Sequence, residues 1–284
     1  MTRSPARTSG SAILLGAWLA AAGCAAAQPP AVAPHPFHVI AHRGASAEAP
    51  ENTLPAFERA LALGVVEVEL DVQLSRDGVP VLFHDRTLET KTLLRGAVRD
   101  HPAEELVRAD VGSWFDRTHP GSDRRWAGTP LTTLRAVFEA FGARLRYHVE
   151  IKDDLETTPA RVIETIAASG LEGRVMLTSF SRAQLERARR GAPAIPVCWL
   201  LKPASPQRID EAADAGFAMV GVDASELTEP LVRRAQARGL EIRAYGVETD
   251  AEIERALATG CNGMTIDQPQ RLVARLLERL LAPR

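Results

Sequence analysis

The sequence predicts an α/β fold, a closed (β/α)8 TIM barrel with a small insertion after the second strand. From Phe37 onward, eight short apolar runs alternate with eight amphipathic segments, which is typical of parallel strands joined by helical crossovers. Eight such units in roughly 250 residues have the size of this barrel. No Gly-x-Gly-x-x-Gly turn follows the first apolar run, so the sequence favours the barrel over an open doubly wound sheet.

The composition narrows the class of protein. The chain has 284 residues, of which 45% are hydrophobic and 25% charged, enough to build the core of one such domain. Its 34 basic and 36 acidic residues give a formal net charge of −2, which offers no basic surface to duplex nucleic acid. Three cysteines are too few for a disulfide scaffold, and Cys198 and Cys261 are predicted to be buried thiols on strands that are not neighbours.

The first 23 residues have the pattern of a secretory signal peptide. Arg3 and Arg7 precede an apolar run from Ala12 to Ala22 that is too short to span a bilayer. The segment ending in Cys24 resembles a bacterial lipoprotein processing site, although it lacks the Leu that such sites often carry. Lipidation of Cys24 is the first interpretation, and ordinary cleavage after Ala25–Ala27 is the second. Both predict an exported protein, either periplasmic or anchored to the membrane by an N-terminal lipid.

Residues 24–36 are rich in Pro and Ala and predict an exposed spacer, followed by the barrel over residues 37–284. Short runs rich in apolar and β-branched residues predict strands at Phe37–Ala41, Val65–Leu74, Leu145–Ile151, Val175–Ser179, Val197–Leu201, Met219–Val222, Ile242–Val247 and Gly263–Ile266. Apolar stripes of helical period predict helices at Thr53–Leu63, Leu131–Phe141, Pro159–Ser169, Ala183–Arg190, Pro206–Ala215, Glu229–Arg238, Asp250–Thr259 and Pro269–Leu281.

The alternation breaks after the second strand. Asp77-Gly78 predicts a turn, and Val79–Phe83 predicts a short returning strand that ends at His84 and Asp85. The next stretch, about residues 86–130, is longer than an ordinary βα loop and predicts an insertion. Barrel enzymes carry their chemistry at the carboxyl ends of the strands, so the candidate residues are sought there.

The second strand carries acidic side chains on one face. Glu67, Glu69 and Asp71 follow the two-residue period of a strand, so the apolar residues between them face the helices. Several carboxylates inside a barrel either become protonated or hold a cation, because burial of uncompensated charge is unfavourable. Hard oxygen ligands favour Mg²⁺ or Ca²⁺ over zinc. The alternative is an exposed edge strand with solvated acids, which a central parallel strand disfavours.

The third strand repeats this pattern with His148, Glu150 and Lys152 on one face. Glu150 is therefore a candidate third metal carboxylate, and Lys152 could reach a phosphate bound over the metal. A salt bridge from Lys152 to Asp71 or Asp153 is the alternative interpretation.

His42-Arg43-Gly44 follows the first strand, and His84 ends the returning strand. Together with Lys152 they place two imidazoles and two cationic side chains near the predicted metal. In-line displacement at phosphorus requires a base, an acid for the leaving oxygen and neutralisation of charge. Either histidine alone would more often be structural, but their joint placement at strand ends predicts chemistry on a phosphate.

These residues, in this order, resemble the glycerophosphodiester phosphodiesterase family. The resemblance runs from Val39 to about Gln270 and includes the inserted region. It is carried by an ordered set of motifs: His42-Arg43-Gly44, Pro50-Glu51-Asn52-Thr53, Glu69-Leu70-Asp71-Val72, Asp77-Gly78, His84-Asp85, Glu150-Ile151-Lys152, Ser179-Phe180 and Gly263 to Pro269. The resemblance implies a barrel enzyme that hydrolyses a glycerophosphodiester to glycerol 3-phosphate and an alcohol, assisted by a divalent cation.

The resemblance also implies a role for each matching residue. The metal would be bound by Glu69, Asp71 and Glu150. Acid–base catalysis would fall to His42 and His84, and the phosphate would be bound by Arg43 and Lys152. The metal would be Mg²⁺ or Ca²⁺. Family members are thought to use the glycerol 2-hydroxyl as an internal nucleophile, and the sequence leaves this path and direct attack by water both open.

Further residues are candidates for the substrate pocket or for the surroundings of the metal: Glu51, Asn52, Asp85, Trp199 and Tyr245. Glu51 and Asn52 are expected mainly to order the first loop, in the usual capping role around Asn52 and Thr53. Tyr245 departs from the family's pattern at a strand end, where the wall of the glycerol or leaving-group pocket usually lies.

Glu67 and His148 also depart from the family's pattern. Each stands two residues before a proposed metal carboxylate, and the two lie on adjacent strands. We therefore expect them to pair beneath the metal, because a buried charge needs a partner.

Two alternative functions stay open. One is a lipid-directed phosphodiesterase of the phospholipase D or phosphoinositide-cleaving type, whose apolar mouth would use Trp114, Phe115, Trp126 and Trp199. The other is a non-catalytic surface lipoprotein that binds phosphorylated ligands. For the leading function the expected partner is a small-molecule substrate. No binding of nucleic acid is expected, and contact with the membrane is expected only through the N-terminal lipid.

Overall fold

The computed structural model describes residues 37–121 and 125–281, so the predicted signal peptide, Cys24 and the spacer lie outside the described residues. Within them the strands are β1 His38–Ala41, β2 Glu67–Leu74, β3 Pro80–Leu82, β4 Arg146–Ile151, β5 Val175–Ser179, β6 Val197–Leu201, β7 Met219–Asp223, β8 Glu241–Val247 and β9 Gly263–Ile266. The α-helices are α1 Leu54–Ala62, α2 Ala103–Leu106, α3 Gly112–Thr118, α4 Leu134–Phe141, α5 Thr158–Ser169, α6 Arg182–Gly191, α7 Pro206–Asp214, α8 Glu229–Ala237, α9 Asp250–Thr259 and α10 Pro269–Leu281.

Eight parallel strands close into a barrel, because β1 pairs with both β9 and β2. The order around the barrel is β1-β2-β4-β5-β6-β7-β8-β9, and β3 runs antiparallel beside β2. This architecture confirms the predicted (β/α)8 fold. Each predicted strand and helix is present, with ends that differ by a few residues at most.

The main core lies between the barrel and the helices. Val68, Leu70 and Val72 of β2 are fully buried in the same apolar cluster as Phe57 of α1 and Val137 of α4. Burying one such side chain contributes about 1.5–3 kcal/mol. Because the outward face of the barrel supplies this apolar contact, the inward face can carry polar side chains.

The insertion builds a small core of its own. Its pattern predicts no elements, yet it forms α2, α3 and two 3₁₀ turns, at Leu88–Thr90 and Val98–Asp100. At Gly112, a Cβ atom would lie 1.7 Å from the carbonyl oxygen of Trp126, so this close approach requires glycine. The side chains that pack together here are Val81, Phe83, Leu88, Val98, Leu106, Val111 and Leu131. This cluster includes β3, so it fixes the insertion beside the strand ends.

Cys198 on β6 and Cys261 are buried and free, as predicted, but Cys261 precedes β9 and does not lie on a strand. Burial raises the pKa of both thiols, so neither has the character of a reactive thiolate. None of the helices formed by residues 37–121 and 125–281 combines the length and the apolar composition of a membrane span.

Candidate active site

Three acidic side chains meet at the carboxyl ends of β2 and β4. The strand register places Asp71 beside Glu150, and the two-residue period puts Glu69 on the same inward face. One oxygen from each of these carboxylates lies within 4.8 Å of the other two. The residues Glu69, Asp71 and Glu150 are only 2%, 1% and 7% exposed. The structure thus brings together the predicted metal ligands, which we call the acidic cluster.

The protein itself compensates the charge of the acidic cluster only in part. Burial and the charges of Asp71 and Glu150 raise the pKa of Glu69 well above its usual range, and burial also raises the pKa of Glu150. Burial alone would raise the pKa of Asp71, but the charges of Arg43 and Lys152 lower it to about 2. Glu69 Oε1 and Asp71 Oδ1 have no hydrogen-bond partner among the described residues. Such buried carboxylate oxygens fit a divalent cation that takes oxygen ligands.

Arg43 borders the acidic cluster from the end of β1. Its backbone is left-handed, with φ 54°, and its backbone N–H donates to Glu69 Oε2 at 3.1 Å. The guanidinium Nε lies 3.2 Å from Asp71 Oδ2, and another guanidinium nitrogen donates to Glu51 Oε1 at 2.9 Å. One residue therefore contacts two of the three predicted metal ligands.

Lys152 borders the acidic cluster from the end of β4. Its Nζ lies 2.8 Å from Glu150 Oε1 and 3.7 Å from Asp71 Oδ1, so the salt bridge to Asp71 that the sequence left open is present. Asp153, the other partner considered, accepts a hydrogen bond from the backbone N–H of Leu74 at 2.8 Å. The Lys152 side chain is 17% exposed, which leaves its ammonium group accessible to an anion at the barrel mouth.

Each candidate histidine is held by an aspartate. His42 Nδ1 lies 2.5 Å from Asp267 Oδ1, and His84 Nδ1 lies 2.7 Å from Asp85 Oδ1. An ionised aspartate accepts a hydrogen bond from Nδ1–H, which leaves Nε2 of each ring for proton exchange. His42 Nε2 is 3.9 Å from Glu69 Oε2, beside the acidic cluster. Both imidazole side chains are 32% exposed and can therefore meet a ligand.

Asp267 was not among the residues selected from the sequence. It follows β9 directly, and its Oδ1 also accepts a hydrogen bond from Ser46 Oγ at 3.0 Å. Its position inside the closing motif, at the carboxyl end of the last strand, was the signal that could have identified it. The contact with His42 itself depends on barrel closure, which brings the ends of β1 and β9 together.

Asn52 orders the first loop by holding a predicted metal ligand. Its side-chain amide donates to Asp71 Oδ2 at 2.8 Å, and its Oδ1 accepts the backbone N–H of Asp71 at 3.0 Å. Thr53 occupies the position before α1 without a side-chain capping bond, and its hydroxyl donates to the carbonyl oxygen of Pro50. The expected capping role is therefore wrong, because the polar side chains of this loop turn to other partners.

Tyr245 and Trp199 differ in the face of the barrel they occupy. Tyr245 belongs to the inward group with Cys198 and Leu200, and its hydroxyl donates to the carbonyl oxygen of Leu201 at 2.9 Å. Trp199 belongs to the apolar layer between barrel and helices and is 6% exposed. The prediction of Trp199 as a pocket residue is wrong, because the residues of β6 that face inward are Cys198 and Leu200, on either side of Trp199.

Glu67 and His148 form the predicted pair, with His148 Nε2 3.2 Å from Glu67 Oε2. His38 of β1 joins them, since its Nδ1 lies 2.9 Å from the same oxygen and its Nε2 lies 3.4 Å from Glu241 Oε2. We call these four residues the floor cluster.

The floor cluster combines a charged and a neutral histidine. The carboxylates of Glu241 and Glu67 raise the pKa of His38 to about 9, whereas burial lowers the pKa of His148 to about 4. Burial alone would raise the pKa of Glu67, but hydrogen bonds from the two histidines lower it to about 2. At neutral pH, Glu67 is therefore an anion between a cationic His38 and a neutral His148.

Known proteins resemble this chain over most of its length. The model of the glycerophosphoryl diester phosphodiesterase family matches residues 42–271. A glycerophosphodiester phosphodiesterase of Bacillus subtilis (strain 168) is 29% identical over 252 residues, covering 84% of this chain and 86% of that protein. One from Caldanaerobacter subterraneus subsp. tengcongensis is 32% identical over 245 residues, covering 83% and 96%. An Oleispira antarctica phosphodiesterase, solved in complex with the product sn-glycerol-3-phosphate, aligns with a TM-score of 0.77 at 26% identity, covering 84% of this chain and 96% of that one.

Proposed function

Because the chain belongs to the glycerophosphoryl diester phosphodiesterase family, we propose that it hydrolyses glycerophosphodiesters to glycerol 3-phosphate and an alcohol. The main support is the acidic cluster, which lies among two His–Asp pairs and two cationic side chains. His84 and Asp85 follow β3, beside β2, and the other groups lie at the carboxyl ends of barrel strands, where such barrels hold their active sites. The product-bound Oleispira antarctica relative supports glycerol 3-phosphate as the product.

We propose that Glu69, Asp71 and Glu150 hold a divalent cation, Mg²⁺ or Ca²⁺. Carboxylate oxygens suit both ions, and Glu69 Oε1 and Asp71 Oδ1, which accept no hydrogen bond from the described residues, support such a site. When bound, the cation would act as a Lewis acid that neutralises charge on the phosphoryl oxygens. Asn52 holds both the side chain and the backbone of Asp71, so it keeps this ligand oriented.

Arg43 and Lys152 are proposed to bind the phosphate. Their side chains are only 16% and 17% exposed, so water and salt screen a bound anion less than they would at the surface. The guanidinium presents several N–H donors in one plane, whereas the ammonium acts as a compact point charge. The two side chains can therefore orient a phosphodiester as well as attract it.

His42 and His84 are proposed to transfer the protons. One ring removes the proton from the attacking oxygen, and the other gives a proton to the leaving oxygen. Asp267 and Asp85 hold the rings through Nδ1 and stabilise the imidazolium form, which the base gains and the acid gives up. The same two rings can serve attack by the glycerol 2-hydroxyl and attack by water, so both paths belong to the proposal.

Hydrolysis of glycerophosphocholine tests this function. The purified protein is expected to release glycerol 3-phosphate with Mg²⁺ or Ca²⁺ and to lose the activity with a chelator. His42→Ala and His84→Ala are each expected to lower kcat by about 10²-fold or more. His101→Gln, in the insertion, is the matched control and is expected to keep the wild-type rate. Absence of release from every glycerophosphodiester tried, with either metal, would contradict the proposal.

The lipid-directed alternative has weaker support. Among the four aromatic residues considered for an apolar mouth, Phe115 and Trp126 are buried and Trp199 lies in the outer apolar layer. Trp114 is the one of the four that stays half-buried. The residues for metal, phosphate and proton transfer are all adjacent, which also favours catalysis over a non-catalytic binding protein.

We also propose that the protein is exported and lipidated at Cys24. The basis is the N-terminal pattern of two arginines, a short apolar run and a small-residue site. Mass spectrometry of the mature N-terminus is expected to find Cys24 as the first residue with the mass of attached lipid. In Cys24→Ser the membrane-bound fraction should be lost. A mature chain that begins at Gln28, or that keeps Met1, would contradict lipidation.

A further inference from the structure

Lys91 reaches the border of the active site from the insertion. It follows a 3₁₀ turn and is only 8% exposed. Its Nζ lies 2.9 Å from Glu51 Oε1 and 2.8 Å from Asp85 Oδ2. The rings of Trp114 and Phe83 lie 5.1 and 5.7 Å from the same nitrogen, a distance that favours cation–π contact. A buried cation is thus held between two carboxylates and two aromatic rings.

Each carboxylate that Lys91 contacts also holds a residue of the proposed reaction. Glu51 Oε1 accepts a hydrogen bond from the guanidinium of Arg43 at 2.9 Å. The other oxygen of Asp85 lies 2.7 Å from His84 Nδ1. Lys91 is therefore linked through Glu51 to the phosphate-binding Arg43 and through Asp85 to the acid–base residue His84.

The ammonium of Lys91 lets the two carboxylates share this space. Without it, Glu51 and Asp85 would lie close together as like charges in a partly buried place, so one would turn away or take up a proton. A rotation of Asp85 would release the ring of His84. A displacement of Glu51 would free the guanidinium of Arg43.

Other contacts fix the backbone at this strand end, whereas Lys91 and His84 contact the carboxylate of Asp85. Gln73 of β2 donates from its side-chain amide to the carbonyl oxygens of Phe83 and Asp85, both at 2.8 Å. Removal of Lys91 is therefore expected to change side-chain orientation more than the path of the chain.

We propose that Lys91 is a positioning residue for the hydrolysis, an inference that rests on the proposed function. Through Glu51 it holds Arg43 toward the phosphate. Through Asp85 it holds His84 for proton transfer. The insertion then contributes to catalysis, because the apolar cluster that it forms with Val81 and Phe83 fixes the segment that carries Lys91.

Lys91→Met tests this role, since it keeps the length of the side chain and removes its charge and donors. With glycerophosphocholine and saturating metal, kcat/KM is expected to fall about 10- to 100-fold. KM should rise and kcat should fall together, because one contact serves binding and the other proton transfer. Lys91→Arg is expected to recover most of the loss, because a guanidinium can donate to both carboxylates. Arg95→Met removes an exposed cation from the same insertion and should leave both constants unchanged.

The double variant Lys91→Met with Glu51→Gln separates a positioning role of Lys91 from a general structural role. If Lys91 acts through Glu51, the double variant loses less than the product of the two single losses. Losses that multiply, or an Arg variant as impaired as the Met variant, would overturn the proposal. If Lys91→Met does not fold, Lys91→Gln replaces it with the same expectations.

The wild-type assay keeps the two proposals apart. A wild-type protein that releases no glycerol 3-phosphate would contradict the proposed function. A fully active wild type together with a fully active Lys91→Met would contradict the positioning role alone.

Discussion

A histidine transfers protons well when its ring is held in one orientation and one tautomer. Asp85 holds His84 as its neighbour in the chain, whereas Asp267 holds His42 across 225 positions of sequence. The two rings therefore have the same local support from very different parts of the chain. This symmetry favours an acid–base pair over one catalytic and one structural histidine.

Asp267→Asn is expected to lower kcat by about 10²-fold or more with little effect on KM, because an amide favours the wrong tautomer of His42. Steady-state kinetics with glycerophosphocholine measures the effect. Asp250→Asn, which removes a carboxylate from the exposed start of α9, is the control and should match the wild type. A wild-type kcat for Asp267→Asn would mean that His42 needs no orienting partner.

Glu69→Gln separates metal binding from stability. In metal-free protein it removes a buried charge whose pKa is raised by burial and like charges, so the free energy of unfolding should stay equal or rise by about 1 kcal/mol. A cation at 100 times its Kd should stabilise the wild type by about 2.7 kcal/mol, and the variant should lose most of this gain. Urea unfolding with cation and with chelator measures both. An equal gain in Glu69→Gln would exclude Glu69 as a ligand.

At the scale of single elements, β2 combines an apolar outward face with two polar groups on its inward face. Glu67 belongs to the floor cluster, and Glu69 and Asp71 belong to the acidic cluster one strand period further on. The floor cluster links β2 to β1 and β4 through His38 and His148. It therefore ties together the strands that present the acidic cluster.

Glu67→Gln should lower the free energy of unfolding by about 3 kcal/mol, because it leaves the cationic His38 partly buried with one anion fewer. Glu254→Gln on α9 breaks an exposed ion pair and should cost less than about 1 kcal/mol. Denaturant unfolding of both variants provides the comparison. Equal effects would mean that the floor cluster contributes no more than a surface pair.

The raised pKa of His38 predicts a loss of stability in alkali. Its charged form is favoured in the folded state, so its contribution is complete below the unfolded pKa near 6.5 and is lost as the pH rises through about 9. Between pH 6.5 and pH 9.5, wild-type stability should fall by up to about 3 kcal/mol more than that of His38→Gln. Parallel stability curves for the two proteins over this range would contradict this assignment.

What the sequence allows one to predict depends on how local each contact is. Glu69, Asp71 and Glu150 could be predicted because strand alternation and register alone put them on one inward face. Trp199 was misassigned because its place in the all-apolar run Val197–Leu201 does not say which face of the strand it occupies. Lys91 was missed because the insertion has no regular pattern, and its contact with Glu51 spans 40 positions.

At the scale of the whole molecule, closure of the barrel assembles the site from both ends of the described chain. Pairing of β1 with β9 and with β2 sets His42 between Asp267 and the acidic cluster. The insertion adds Lys91 from a core that packs against β3. An eight-stranded barrel with one inserted unit therefore accounts for each group that the proposed hydrolysis requires.

The most direct test of the acidic cluster is a crystal soaked with Mn²⁺ and glycerol 3-phosphate, in which anomalous scattering locates the ion. We expect one peak within about 2.0–2.6 Å of an oxygen from each of Glu69, Asp71 and Glu150. The phosphate should lie beside that ion, in contact with Arg43 and Lys152. An ion bound away from these carboxylates, or a phosphate bound elsewhere on the barrel, would contradict the proposed active site.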